Sequence, residues 1–180
     1  MVTKWNHPAE NEYPSYYGKY IAKVPDTDLV DFLKERTKSF VAFLEALPEE
    51  KLSYRYAENK WTIPQIVQHL IDAERIFTYR ALRFARNDKT NLPGFEENDY
   101  ANEATGEGRT FAEIINEFNA VRNATITFLD SMNDNLLSRT GTANNNSISV
   151  RSICYIMAGH TEHHWQVIIE RYLNEMANMQ

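Results

Sequence analysis

The sequence predicts an all-α fold, a four-helix bundle formed by a single domain of 180 residues. Four segments of about twenty residues carry apolar side chains at intervals of three and four, the spacing of one face of an α-helix. Two of these segments begin with a capping box, and no two segments show the alternating pattern of a convincing strand pair. Helices of this length bury their apolar faces most simply by packing as a bundle.

An aromatic-rich arm is predicted for residues 1–26, ahead of a bundle over residues 27–175. The arm combines one tryptophan and four tyrosines with three prolines and a glycine, a composition that disfavours regular helix. The first helix is predicted from Asp28 to Leu47, and Pro48 ends it.

Capping boxes mark the starts of the second and third helices. Thr62-Ile63-Pro64-Gln65 opens a helix to about Asn87, and Thr110-Phe111-Ala112-Glu113 opens one to about Met132. The fourth helix is predicted over Val150 to Glu175. The loops between these helices, residues 88–109 and 133–149, are long for a bundle, so they contain crossovers or cover one end of it.

The charge and the composition of the chain argue against several classes of function. The formal net charge is -6, and such a surface repels phosphate backbones, so a DNA binder of the damage response is the least favoured function. No segment approaches the ~18 apolar residues of a membrane span, and the N-terminus lacks the pattern of a secretory signal. A single cysteine fits a reducing compartment, so we expect a cytoplasmic protein.

Two histidines one helical turn apart are the most informative feature of the chain. His160 and His164 project from one face of the fourth helix. At 100° per residue both fall within the apolar stripe that contains Ile153 and Val167, whereas His163 falls at its edge. Neutral imidazole is a good ligand for zinc, nickel, copper and iron. The pair therefore predicts part of a metal site.

His69 is the strongest candidate for a third ligand, because it lies within the apolar face of the second helix. Three imidazoles would hold a metal and leave it an open position, as catalytic sites require. The alternative is that these are core histidines satisfied by ordinary hydrogen bonds. Two imidazoles in one buried turn would then need two separate sets of partners.

Three arginines also fall on predicted buried faces. Arg80, Arg122 and Arg171 each need a carboxylate partner or an anionic ligand there. One interpretation is a set of structural salt bridges to residues such as Glu74 or Glu170. The other is that one or two of these arginines bind a substrate carboxylate near the metal.

The sequence resembles the DinB/YfiT-like superfamily of small metal-binding four-helix proteins over nearly its whole length. The matching segments are Lys60-Trp61-Thr62-Ile63, His69 to Arg75, Tyr79 to Arg86, Leu92-Pro93-Gly94-Phe95, Arg122, and Ala158-Gly159-His160 through His164. The resemblance implies an up-down-down-up bundle that binds one divalent metal through His69, His160 and His164. Zn, Ni, Fe and Mn are all candidates, because each tolerates imidazole ligands. The family includes transferases and an isomerase that use low-molecular-weight thiols such as bacillithiol and mycothiol.

Three functions follow as hypotheses. The first is a metal-dependent thiol S-transferase or hydrolase acting on a small molecule, with a low-molecular-weight thiol as one expected substrate. In this hypothesis His163 is a candidate proton shuttle, while Arg122 and Arg80 hold an anionic co-substrate. The second is a non-catalytic metal-binding or ligand-binding bundle, and the third is the DNA binder. A homodimer is expected, because a bundle of this size can bury one more helical face.

Overall fold

Four long helices form most of the structure, a computed structural model that describes residues 5–104 and 108–173. In chain order, the first to fourth helices span Leu29–Glu45, Ile63–Ala85, Phe111–Asp130 and Val150–Val167. The prediction of a four-helix bundle is confirmed, and the first three helices end about two residues earlier than predicted, as frayed helix ends commonly do. The fourth continues as a π-helix over Ile168–Leu173, and its predicted end at Glu175 lies outside the described residues.

Each long helix begins at a side chain that accepts a backbone hydrogen bond, as expected of an N-cap. The caps are Asp28, Thr62, Thr110 and Ser149. Both predicted capping boxes are present, with Gln65 and Glu113 returning a side-chain contact to their caps. Such caps each contribute about 1 kcal/mol and determine where the first turn begins. They therefore fix the residues at which the helix faces that carry the histidines begin.

The N-terminal arm is more regular than predicted. It contains turns of 3-10 helix at Glu10–Glu12 and Ser15–Tyr17, followed by a short α-helix at Gly18–Ile21. The short helix packs along the fourth helix, and this packing orders a segment that its own composition would not. Residues 1–4 of the predicted arm lie outside the described part of the chain.

The expectation that no convincing strand pair would form was wrong at one place. The predicted loop before the fourth helix contains a short helix, Asp134–Leu137, and an antiparallel hairpin of Thr140–Ala143 with Asn146–Ser149. Asn144 and Asn145 form its turn with φ of 49° and 62°, the left-handed conformation that asparagine tolerates in tight hairpin turns. The strands are too short to show an alternating pattern in the sequence. Two further short helices span Glu49–Leu52 and Glu97–Glu103.

Contacts between the second and third helices show that they run in the same direction. Glu74 pairs with Arg122, and one turn later Thr78 contacts Thr125. Residue numbers therefore rise together along both helices. A parallel pair of consecutive helices requires a long connection, and this accounts for the length of the segment between them.

The fourth helix runs antiparallel to the second and parallel to the first. His69 contacts His160, whereas Thr78, further along the second helix, contacts Met157. Against the first helix the numbers rise together: Arg36 pairs with Glu162, and Phe40 packs on Trp165. These directions give the up-down-down-up order that the resemblance implied.

A buried polar layer divides the core into two apolar clusters. One cluster includes Phe77 and Met157, and the other includes Leu70 and Phe118. Between them lie buried polar side chains from the second, third and fourth helices: His69, Glu74, Arg122, His160 and Thr161. The predicted site thus occupies the level at which the apolar packing is interrupted.

None of the helices that the structure describes is both long enough and apolar enough to cross a membrane.

Gly159 allows a close approach between the arm and the fourth helix. A Cβ at this position would overlap the backbone carbonyl of Tyr20. We expect Gly159→Ala to destabilise the protein by about 1–3 kcal/mol, because backbone atoms of the arm must move away. Urea unfolding measures this change. Gly18→Ala, in the arm, is the control: its Cβ would meet a ring atom of Tyr13 at 3.8 Å, so equal losses in both variants would contradict the prediction.

Candidate metal centre

The three predicted histidines converge on one point in the bundle. Nε2 of His160 lies 3.1 Å from Nε2 of His69 and 3.0 Å from Nε2 of His164. One candidate ligand nitrogen from each ring lies within 4.8 Å of the other two. His69 and His160 are buried and His164 is half-buried. The second and fourth helices therefore bring together residues that are 91 positions apart in the sequence.

Hydrogen bonding alone does not satisfy this arrangement. A ring nitrogen carries either a proton to donate or one lone pair in the ring plane to accept with. The Nε2 of His160 has two imidazole nitrogens at hydrogen-bond distance, so it can serve one of them well and not both. In addition, His164 Nδ1 is buried and has no hydrogen-bond partner among the residues that the structure describes. The alternative of core histidines satisfied by ordinary hydrogen bonds is therefore disfavoured.

The same spacing suits a metal ion. Imidazole nitrogens that share a zinc-sized ion at about 2.0–2.1 Å lie about 3.0–3.4 Å from one another, depending on the coordination angle. The two separations at His160 fall close to this range. Three neutral nitrogen donors form the kind of ligand set that zinc, nickel and iron accept. The residues present therefore fit a divalent transition metal.

The protein environment keeps the three rings neutral, which is the form that binds metal. Burial lowers the pKa of His69 to about 4. Burial also lowers the pKa values of His160 and His164 well below the usual 6.5, and the neighbouring imidazoles add to the effect because a second positive charge would be repelled. At neutral pH the lone pairs are thus available without deprotonation.

Aromatic side chains enclose the triad on two sides. The indole of Trp61 lies 4.8 Å from the ring of His69 and 6.4 Å from that of His164. The phenol ring of Tyr20 lies edge-on to His160 at 5.3 Å and to His163 at 5.4 Å. These rings limit the directions from which solvent or a small molecule reaches the triad.

Two cavities approach the triad from different sides. The arm-side cavity, of about 360 Å³, lies between the N-terminal arm and the second helix and reaches His69 and His160. The Trp61-side cavity, of about 270 Å³, reaches His163 and His164. Asn98, on the short helix Glu97–Glu103, lines both. A metal held by the triad would therefore be approached from both cavities.

The structure treats the three predicted arginines differently. Arg122 is 2% exposed and bonds to both carboxylate oxygens of Glu74 and to Thr161, so it forms the structural salt bridge that was one of its two interpretations. Arg80 is also buried, but it lines the arm-side cavity. Arg171 is exposed, so its predicted place on the buried face was wrong. Arg171 lies in the π-helix Ile168–Leu173. The angle per residue there differs from the 100° of an α-helix, on which the predicted position of Arg171 relied.

His163 lies at the edge of the buried face, as its helical angle predicted. It is half-buried and lines the Trp61-side cavity beside His164. Burial lowers the pKa of His163, and Lys23 and Lys19 add to the shift because they repel a positive ring. The ring is therefore neutral near pH 7 and can accept a proton.

Sequence reasoning missed the contribution of the N-terminal arm to the site. Tyr16, Tyr17, Lys19 and Tyr20 all line the arm-side cavity. The cluster of tyrosines was visible in the sequence, but the arm has no helical periodicity that would place it against a particular helix. Gly159, directly before His160, was the available signal of a close backbone approach at this point.

Comparison with known proteins gives consistent results. The family model described as the DinB superfamily matches residues 33–168. A protein of Oceanobacillus iheyensis, named as a candidate metal-dependent hydrolase, is 26% identical in an alignment 158 residues long that covers 79% of this chain and 84% of that protein. Among solved structures, YfiT from Bacillus subtilis matches with a TM-score of 0.67 and 16% identity over 97% of this chain and 94% of its own. Its description is a probable metal-dependent hydrolase with an unusual four-helix bundle topology.

Proposed function

This chain belongs to the DinB superfamily. On that premise we propose that it is a metal-dependent enzyme that acts on a small molecule, and that hydrolysis is the favoured reaction. The observation that carries the proposal is the convergence of three imidazole nitrogens between two cavities. The naming of the Oceanobacillus and Bacillus relatives as metal-dependent hydrolases supports the reaction class.

His69, His160 and His164 would hold the metal. A divalent ion in a site with an open position lowers the pKa of bound water to about 7 or binds a thiol as its thiolate. His163 faces the Trp61-side cavity beside the triad, and its neutral imidazole would accept the proton that the nucleophile loses and later return it to the leaving group. Trp61 and Tyr20 would restrict water around the triad, which strengthens electrostatic interactions there.

Thiol S-transfer is the second candidate reaction, and the two cavities favour it. A transfer reaction binds a thiol and an electrophile together, and each would then approach the triad from its own side. Hydrolysis needs one organic substrate and water. The number of organic substrates required for turnover therefore distinguishes the two reactions.

The test begins with the protein purified without chelating resin or chelators. Metal content is measured, and the metal-free protein is reloaded separately with Zn, Ni, Fe and Mn. Each form is assayed for hydrolysis of ester and amide substrates without a thiol. Each form is also assayed for transfer, with an alkylating electrophile and either cysteine or a cysteinyl thiol cofactor. Metal-dependent turnover without thiol supports hydrolysis, and turnover that requires thiol supports transfer. Tight stoichiometric metal with no turnover on either set would favour the non-catalytic metal-binding bundle.

Metal binding is also expected to raise the melting temperature. An ion present at about 100 times its dissociation constant adds about 2.7 kcal/mol to the free energy of unfolding. For a chain of this size we therefore expect an increase of roughly 5–10 °C over metal-free protein. Differential scanning calorimetry with and without added zinc measures it. His164→Ala is the control, and a similar increase in that variant would place the stabilising metal elsewhere.

A further inference from the structure

Arg80 is a buried cation with few partners in the protein. It is 6% exposed, and among the residues that the structure describes no carboxylate lies within 4.0 Å of its guanidinium. Within the same residues its hydrogen bonding is one bond, from Nη2 to the carbonyl oxygen of Pro93 at 2.7 Å. A guanidinium has five N–H donors, so the described residues leave most of its capacity unused. Arg122, equally buried, shows the usual solution, since it is paired with Glu74.

Arg80 borders the arm-side cavity that also reaches His69 and His160. Phe77 lies between these two ends of the cavity. Its ring centre is 6.4 Å from the ring of His160 and 5.9 Å from the guanidinium carbon of Arg80. The distance from the His160 ring centre to the guanidinium carbon of Arg80 is therefore no larger than the sum of these two distances. A small organic molecule can span it.

Five aromatic side chains line this cavity beside its charged and polar groups. Tyr16, Tyr17, Tyr20 and Phe95 join Phe77 in lining it. Glu96 and Glu97 also line it, but both are exposed, as is Lys19. The buried end thus carries one positive charge, while the exposed groups include both signs. This arrangement suits a monoanion with an apolar or aromatic body better than a highly charged one.

From this geometry we propose that the substrate of the arm-side cavity is a small organic monoanion, such as an aryl carboxylate, whose anionic group binds Arg80 while its body packs on Phe77 and the arm tyrosines. Its reactive end then lies beside His69 and His160. The inference rests on the proposed function, because it assigns the substrate class of that same site. Charge-assisted bonds to a buried guanidinium supply the affinity and the orientation.

Benzoate and its neutral counterpart benzamide are the probes, titrated by NMR into zinc-loaded and chelator-treated protein. We expect benzoate to bind at least about tenfold more tightly than benzamide, and Arg80→Gln to remove this preference in both preparations. In wild-type protein the Nε–Hε signal of Arg80 should shift with benzoate and not with benzamide. This signal decides the question even where Arg80→Gln fails to fold.

Arg86→Gln is the matched control, since it makes the same charge change on an exposed position at the end of the same helix. It should leave the preference for benzoate unchanged. Three results would overturn the proposal: no preference for benzoate, a preference unaffected by Arg80→Gln, or a preference that disappears with the metal rather than with Arg80. Metal content is measured in the same samples. Protein that binds no metal yet keeps an Arg80-dependent preference would refute the proposed enzyme function separately.

Discussion

Replacing His160 with alanine is expected to abolish stoichiometric metal binding. His160 is the middle member of the triad, with its Nε2 within 3.1 Å of both other ligand nitrogens. Losing residues that merely orient a ligand already costs 10–100-fold in metal affinity, so losing the central ligand should cost at least about a hundredfold. Metal analysis after dialysis should find about one ion per chain in wild type and well under a tenth in the variant.

His163→Ala is the matched control for that measurement. His163 is an imidazole on the same helix, three residues away and half-buried, but it points to the edge of the bundle. Its removal should leave the metal content near wild type. Retention of stoichiometric metal by His160→Ala, or equal losses in the two variants, would show that the triad is not the metal site.

Breaking the buried ion pair between Glu74 and Arg122 is expected to give the largest loss of stability. Both side chains are at most 4% exposed, and Nη2 of Arg122 lies 2.7 Å from a carboxylate oxygen of Glu74. Glu74→Ala leaves a guanidinium buried without its counter-charge, which should cost about 3–5 kcal/mol in the free energy of unfolding. Replacing both residues, as Glu74→Leu with Arg122→Met, should cost much less, since no unpaired charge remains. Urea unfolding measures all of these variants.

A surface ion pair between the same two helices provides the control. Arg75 on the second helix pairs with Glu117 on the third, and the Arg75 side chain is 51% exposed. Arg75→Ala should cost no more than about 1 kcal/mol, because water and salt screen exposed pairs. A Glu74→Ala loss no larger than that of Arg75→Ala would contradict the structural role of the buried pair. Thr161 accepts a hydrogen bond from Arg122 and directly follows His160, so it links this pair to the histidine triad.

The helices could be predicted because their signals are local. Thr62 and Thr110 start helices through contacts with residues three positions later, and the apolar stripes repeat within a single helix. The hairpin around Asn144 and Asn145 could not be predicted, because it has no comparable local signal. Its strands span four residues each and depend on packing against the rest of the chain.

The candidate ligands could be predicted to the level of helix faces. His160 and His164 share a face by their spacing alone, and His69 falls on the apolar face of its own helix. Periodicity could not tell whether these faces meet, since helix rotation and tilt are set by packing across the bundle. It likewise could not distinguish Arg80 from Arg122, because both lie on buried faces and differ in whether another helix supplies a carboxylate.

The sequence by itself determined the number of long helices, their starts and the faces that carry the histidines, because these depend on hydrogen bonds and side-chain spacing within a few residues. The tertiary structure decided that three imidazole nitrogens meet, that Glu74 neutralises Arg122, and that the arm closes over the triad beside Gly159. Each of these joins residues that are distant in the chain. Such contacts depend on how whole helices pack, and no local pattern specifies that packing.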